Sequence, residues 1–215
     1  MQYALEHFTV SVAAITGVLA ARGKQVDLFG VLVLAFVTAF GGGTIRDVLL
    51  GNRPLFWMAD QTFVLNVAAT GVVTFYLVRF HELPETVLMV ADAFALALFT
   101  MIGSRKALAF NVAPSIAVMM GVTTGVAGGI LRDLLIGEIP LVFRREIYLY
   151  ATAAFGGAST FVLLNEYCPS QKWNTVIATL VTLLLRLAGI RWKIALPMFR
   201  PKELSDSMQS KNDKF

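Results

Sequence analysis

Two arginine–aspartate pairs, Arg46-Asp47 and Arg132-Asp133, sit inside apolar segments, each just after a glycine cluster: "GGGTIRDVLLG" from Gly41 and "AGGILRDLLIG" from Ala127. Each glycine weakens a helix by roughly 1 kcal/mol relative to alanine. A helix broken at such a cluster frees carbonyls, which attract cations, and N–H groups, which attract anions. Ionised side chains in a membrane segment mark a bridge between helices or a route for ions. The chemistry on offer is therefore ion binding and passage rather than bond making. GxSxG, HExxH and Walker-type loops are absent, and no nucleophile–base constellation appears. Cys168 is the single cysteine, and His7 and His81 lack ligand spacing and read as membrane-surface histidines. Hence no enzyme activity, catalytic residue, structural metal or cofactor is expected.

The elements that must position these pairs are long and apolar. Charged residues are 15% of the chain, against about a quarter in a soluble domain. The apolar residues come in blocks near the ~20 residues that a bilayer requires. Seven spans are predicted: Tyr3 to Ala21, Leu28 to Leu50, Gln61 to Val78, Thr86 to Ala107, Pro114 to Ile136, Ile147 to Leu164 and Thr175 to Ile190. The last is shorter, and Arg186 near its end is expected to snorkel. The N-terminal "MQYALEHF" lacks the basic region of a cleavable signal, and the apolar run after it is long enough to span. The fold class is all-α membrane protein, and nucleic acid is not expected as a partner.

At a fixed offset of 86, Gly42, Gly43, Arg46, Asp47, Leu49, Gly51, Pro54 and Leu55 fall on Gly128, Gly129, Arg132, Asp133, Leu135, Gly137, Pro140 and Leu141. Eight identities in fourteen positions, without a gap, mark an internal duplication. The same offset pairs Gly17 with Gly103, Gly71 with Gly157 and Glu6 with Asp92. Residues 1–84 form the first copy and 85–170 the second; 171–195 hold the seventh span, and the polar tail 196–215 is expected to be disordered. Three spans per copy invert the second copy in the membrane. Arg53, Arg105, Lys106 and Lys172 fall on the N-terminal side. The other side receives Arg22, Lys24, Arg79, Arg144, Arg145, Arg191 and Lys193, then the basic residues of the tail. This imbalance predicts an external N-terminus and a cytoplasmic C-terminus in a plasma membrane.

At 1.5 Å per residue, Gly41 lies about 20 Å into its span, and Gly125 and Gly128 about 17 and 21 Å into theirs. The clusters Gly41, Gly42, Gly43 and Gly125, Gly128, Gly129 therefore fall near the midplane, either as kinks beside a pathway or as close-packing sites. Arg46 lies about 27 Å in, near the far interface, where it is a gate or an interhelical brace. Asp47, Arg132 and Asp133 share that pair of readings. Adjacent helix residues point about 100° apart, so neither pair needs to close on itself. Glu6 and Asp92, each early in its span, are possible mouth carboxylates that concentrate cations. Thr38, Thr44, Thr123, Thr124, Asn66 and Thr152 read as residues that satisfy backbone or a neighbouring helix. Arg105-Lys106 have no counterpart in the first copy and break the symmetry.

Three plus three plus one spans, with "GGGTIRDVLLGNRP" and "AGGILRDLLIGEIP" in spans two and five, resemble the prokaryotic members of the trimeric intracellular cation channel family. They equally resemble small bacterial inner-membrane proteins whose repeat is called a glycine-transporter-like domain. The resemblance covers about residues 1–195. It implies a homotrimer among membrane lipids, one pore per protomer formed largely by kinked spans two and five, and permeation of monovalent cations, chiefly K⁺. Animal members carry a lysine-containing motif where this chain has "TIRD", so their lipid or calcium regulation does not carry over. The competing function is a secondary transporter of a small zwitterion such as glycine, whose carboxylate and ammonium would suit the two ends of a broken helix.

Overall fold

The structure is a computed structural model that describes residues 2–80, 84, 86–144, 149–169 and 173–192. The helices run in the order α1 (Gln2–Ala20), α2 (Leu28–Leu49), α3 (Phe56–Ala59), α4 (Thr62–Phe80), α5 (Thr86–Ala109), α6 (Pro114–Leu135), α7 (Tyr150–Tyr167) and α8 (Trp173–Trp192). A 3-10 turn, Leu141–Phe143, lies between α6 and α7. Among the described residues there is no strand. The tail 196–215 and His81 lie outside the described residues.

Six helices, all but α3 and α7, are long and apolar enough to cross a membrane. Their large apolar side chains are widely exposed, Phe29, Leu65, Val73, Leu77 and Leu184 among them. A water-facing surface does not carry so many, and lipid accommodates them at no cost. Trp173 and Trp192 stand exposed at the two ends of α8, as interfacial aromatics do. The sixth span expected from the sequence corresponds to α7, which falls short of the other helices in hydropathy. Its small and polar residues, Thr152, Gly156, Gly157 and Thr160, suit a helix that packs on three others, α5, α6 and α8.

The packing has a regular plan. α1 packs on α2 and α4, and α4 on α2; likewise α5 packs on α6 and α7, and α7 on α6. The two sets join through α1 with α5 and α2 with α6, which closes a central four-helix bundle. Among the described helices, α8 packs on α5 and α7. Polar side chains assist the peripheral contacts. Asn66 on α4 donates to the His7 backbone carbonyl on α1 at 3.0 Å and accepts from Ser11 at 2.9 Å. His7 stacks on Phe63 with 4.1 Å between ring centroids rather than lying loose at a surface.

α2 and α6 end by the same device. Gly51 and Gly137 take φ of 68° and 71°, a left-handed conformation that glycine adopts without strain. The N–H of Asn52 then bonds the Asp47 carbonyl at 2.8 Å, and that of Glu138 bonds the Asp133 carbonyl at 2.9 Å. Gly51 and Gly137 N–H reach Val48 and Leu134 at 3.1 Å each. These are Schellman caps, and they explain why the duplicated motif runs on to a glycine four residues past its aspartate.

The glycine clusters, expected to loosen, kink or break their helices, do not break them: α2 and α6 are continuous through them. The clusters serve close approach instead. A Cβ on Gly42 would stand 2.1 Å from the Thr124 carbonyl oxygen, and one on Gly128 would stand 2.5 Å from that of Thr38. Thr38 and Thr124 are themselves equivalent at the 86-residue offset, so the contact is reciprocal, as at a two-fold interface. The hydroxyls of Thr38 and Thr124 turn back to Leu34 and Met120 carbonyls, both at 2.6 Å, and leave the crossing to backbone. Gly125 faces α5, where a Cβ would meet Thr100 Oγ1 at 2.4 Å. At Gly41 the nearest neighbour is the flexible end of Leu131, at 2.7 Å.

The two roles of glycine separate experimentally. Gly42→Ala pushes backbone on backbone and is expected to cost about 2 kcal/mol or more. Gly41→Ala and Gly156→Ala, which meet side-chain tips, are expected to change stability by less than about 1 kcal/mol. Thermal unfolding in detergent measures all three. Equal losses at Gly41 and Gly42 would refute the special demand of the backbone crossing at Gly42.

Candidate functional site: one ion-pair constellation in two copies

Both Arg–Asp pairs close on themselves. Arg46 Nε donates to Asp47 Oδ1 at 2.8 Å, and Arg132 Nε donates to Asp133 Oδ1 at 2.8 Å. All four residues are buried, so neither arginine snorkels to an interface. The second oxygen of each aspartate pins the loop beyond its helix. Asp47 Oδ2 accepts from the Phe56 N–H at 3.2 Å, and Asp133 Oδ2 accepts from the Leu141 N–H at 2.8 Å. Each pair thus fixes a helix end, the cap after it and the short turn that follows. The arginines, in the last turns of α2 and α6, also complement the negative ends of the helix dipoles.

Each constellation is also tied to α5, in a different way at each end. In the first copy, Lys106 Nζ lies 3.0 Å from Asp47 Oδ1 and 3.1 Å from Oδ2. The Lys106 side chain is 26% exposed, so this end reaches solvent. Glu6 is half-buried and takes a hydrogen bond from Gln2 rather than from Arg46. Glu6, Gly43, Arg46, Phe56 and Lys106 line a cavity of about 30 Å³ together with the apolar Val10, Phe99 and Ile102. A space of that size holds one or two waters.

In the second copy the corresponding position has different neighbours. Asp92, expected as a hydrated mouth carboxylate, is buried and accepts from Arg132 Nη1 at 2.9 Å. Gly129, the equivalent of Gly43, sits against the Tyr150 hydroxyl, with 3.2 Å between that oxygen and the position a Cβ would take. The Tyr150 ring is buried, and the Arg186 guanidinium lies over it at 4.6 Å from the centroid. Arg186 is fully buried and so is not the snorkelling residue expected from the sequence. Among the described residues, Asp92, Asp133, Arg132 and Arg186 are all buried at this end, where charges hold only when paired.

The structure therefore brings Arg46, Asp47 and Glu6 to one site with Gly43, and Arg132, Asp133 and Asp92 to the other with Gly129. Gly41, Gly42, Gly125 and Gly128 belong to helix crossings instead. Phe56, Lys106, Tyr150 and Arg186 were not named as site residues by sequence reasoning. An arginine within a predicted span was a signal for Arg186. Tyr150 carried no such signal. Outside the helices, Lys24 pairs with Glu138, and Arg144 Nη2 lies 3.3 Å from Glu138. Lys24 first, and then Arg144, holds the Glu138 carboxyl below the usual range. This ties the α1–α2 and α6–α7 connections together near the second constellation.

Comparison with known proteins adds a family context. A family model described as glycine transporter matches the chain twice, over residues 3–79 and 89–166. The UPF0126 inner membrane protein YadS of Escherichia coli is 46% identical over 199 residues, covering 92% of this chain and 95% of that protein. A UPF0126 membrane protein of Vibrio cholerae is 43% identical, covering 92% and 82%. The structure of the TRIC trimeric intracellular cation channel orthologue from Rhodobacter sphaeroides matches with a TM-score of 0.84 at 38% identity, covering 89% of this chain and 98% of that one. A prokaryotic TRIC channel determined in 0.5 M KCl matches with a TM-score of 0.82 at 28% identity.

The two aspartates are expected to differ in what their loss does. Asp133→Asn leaves Arg132 and Arg186 with one buried acid between them and is expected to cost about 3–5 kcal/mol. Asp47→Asn is expected to cost less, because Lys106 can turn to solvent. Thermal melts of the two variants, side by side in one detergent, check the order; equal losses would refute the asymmetry.

Proposed function

The chain belongs to the glycine-transporter family of bacterial membrane proteins, the one that includes the prokaryotic TRIC channels, and from that membership we propose that it is a monovalent cation channel permeable to K⁺. The pore runs through each protomer of a homotrimer, and all seven long helices, α7 included, cross the membrane. The two copies are inverted relative to one another, with the N-terminus outside and the C-terminus in the cytoplasm. The first constellation then lies at the outer end of the central bundle and the second at the inner end.

The observation that carries this reading is the likeness to a cation channel over nearly its whole length, joined to the placement of one charged constellation in each copy. Between these sites the route follows α1, α2, α5 and α6, and α2 and α6 contribute Gly43 with Arg46 and Gly129 with Arg132. Arginines beside a cation route would repel K⁺ if bare. Here each is neutralised by the aspartate next to it, and the carboxylates of Glu6 and Asp92 add negative charge on the route side. Such pairs act as gates and braces; a selectivity filter needs unpaired oxygens. In this conformation the inner end is closed by Tyr150 and the buried charges, so conduction requires that end to rearrange.

A transporter of a small zwitterion is the second reading, and one observation favours it. The outer cavity sets Glu6 against Arg46 and Lys106, an acid and two bases that suit an ammonium and a carboxylate. The continuity of α2 and α6 counts against it, because unbroken helices offer no terminal carbonyls or N–H groups to a substrate.

Single-channel recording of the purified protein in planar bilayers under a KCl gradient tests the proposal. Ohmic unitary currents that reverse near the K⁺ equilibrium potential are the expected result. Silent bilayers together with saturable glycine uptake into liposomes would give the function to the transporter.

A further inference from the structure

His7 joins α1 to α4, and the bonds around it fix which ring nitrogen carries the proton. One side-chain atom of Asn66 stands 3.0 Å from the His7 backbone carbonyl and 3.1 Å from His7 Nδ1. A carbonyl cannot donate, so that atom is the amide nitrogen. The Ser11 and Thr70 hydroxyls donate to the amide oxygen on the other side, at 2.9 and 3.2 Å. The amide nitrogen thus gives one hydrogen to the carbonyl and one to Nδ1, which is the bare nitrogen of a neutral ring. Nε2 then carries the proton and donates to Thr62 Oγ1 at 3.3 Å. Thr62 in turn donates to Asp60 Oδ1 at 2.6 Å.

A second proton can only go to Nδ1, where it meets the hydrogens of the Asn66 amide. Donor then faces donor, and the amide cannot turn over without setting its oxygen against the His7 carbonyl. The α1–α4 clasp therefore requires a neutral His7. The ring is half-buried, so protons reach it. Asp60 lies beyond Thr62 to support the charged form. Bonds from Thr62 and then Tyr3 hold its carboxyl below the usual range, so it stays ionised where histidine titrates. On α1 itself, Tyr3 meets the His7 ring edge-on at 4.4 Å, and Glu6 takes its bond from Gln2. The charged residue of α4, Arg79, lies in its last turn, far from His7. At the His7 end, α2 and α5 bring Arg46, Asp47, Arg105 and Lys106, and Asp47 pairs with Arg46 and Lys106. On α6, Arg132 and Asp133 lie at the other end with Asp92.

The clasp is continuous with the first ion-pair constellation. The His7 ring lies flat on Phe63 at 4.1 Å, and Phe63 meets Phe56 edge-on at 5.4 Å. Phe56 stands 5.8 Å from the Arg46 guanidinium, occupies the space beside Gly43 and donates its N–H to Asp47 Oδ2. A displacement of His7 is thus handed through two rings to Arg46 and Asp47.

We propose that His7 is a proton switch at the N-terminal end of the bundle: neutral, it clasps α4 to α1 through Asn66; charged, it releases α4 and with it Phe56 beside the Arg46-Asp47 pair. The switch rests on the channel reading only for its effect on current, where release of Phe56 widens the cavity at Arg46.

Amide exchange of the full-length protein in lipid nanodiscs, at about pH 8 and about pH 5 and expressed as protection relative to the intrinsic rate, tests it. Protection from Asn66 to Thr70 and at the Phe56 N–H is expected to fall about fivefold in acid, the equivalent of one net hydrogen bond, while α8 holds. His7→Phe keeps a ring on Phe63 and takes no proton, so its protection is expected to be the same at both pH values. Asn66→Asp sets an acceptor opposite Nδ1, so acid is expected to tighten the clasp. Wild-type protection that ignores pH overturns the switch. So does a fall that α8 shares, or an acid response that survives in His7→Phe. Should His7→Phe lose its fold, Asn66→Asp decides, and a response of unreversed sign overturns the switch. In planar bilayers, acid on the N-terminal side is expected to raise wild-type open probability about threefold. Currents that ignore that acid in a conducting protein overturn the coupling to the Arg46-Asp47 pair. Silence at both pH values removes the channel and leaves the exchange result standing.

Discussion

Lipid cannot solvate a carboxylate, so Asp47 and Asp133 must find every partner within the protein. Each does so in the same way. One oxygen takes the neighbouring arginine and the other takes a backbone N–H from the turn beyond the helix. The requirement reaches far from the two residues. It sets where α2 and α6 stop and holds the returning turn against the helix end. It also demands a left-handed residue at the fourth position on, supplied by Gly51 and Gly137. The arginine must in turn be flanked by something apolar or acidic, which brings in Phe56 at one end and Asp92 at the other. A charged pair that looked out of place in a membrane segment is the part that organises its surroundings.

The second constraint is steric and joins the halves. Gly42 and Gly128 let α2 and α6 approach until backbone touches backbone, reciprocally with Thr124 and Thr38. Without apolar contrast between protein and lipid, such close contact is what holds membrane helices together. It also places the two constellations on opposite sides of a tight crossing. Gly43 and Gly129 lie on the flanks of that crossing, the first against Phe56 and the second against the Tyr150 hydroxyl. The glycines of each cluster therefore divide their work: Gly42 and Gly128 pack, while Gly43 and Gly129 make room beside a charged site.

The same motif at the two ends is completed by different partners. Glu6 and Asp92 differ by a methylene, yet Asp92 reaches Arg132 while Glu6 stays with Gln2. The larger difference comes from what approaches each site. Lys106 enters the first with part of its length in solvent, and Tyr150 with Arg186 enters the second fully buried. A device with two symmetric ends can only be open or shut as a whole.

The long apolar spans, the 86-residue duplication and the position of the Arg–Asp pairs were legible in the sequence alone. Hydropathy, repetition and spacing are local or self-referential properties, and they survive without a partner. The glycine clusters were located correctly, but the expected break does not occur. Whether a glycine loosens a helix or admits a neighbour depends on what stands opposite, and the Thr124 carbonyl stands 86 residues from its equivalent in the other copy. Tyr150 and Arg186 belong to the inner site for the same reason: no spacing rule links residues 58 positions or more from Asp92. Sequence placed an Arg–Asp motif at the matching point of two spans. Tertiary structure decided which groups satisfy them, because in a medium without water each charge must be answered by whichever helix the fold brings beside it.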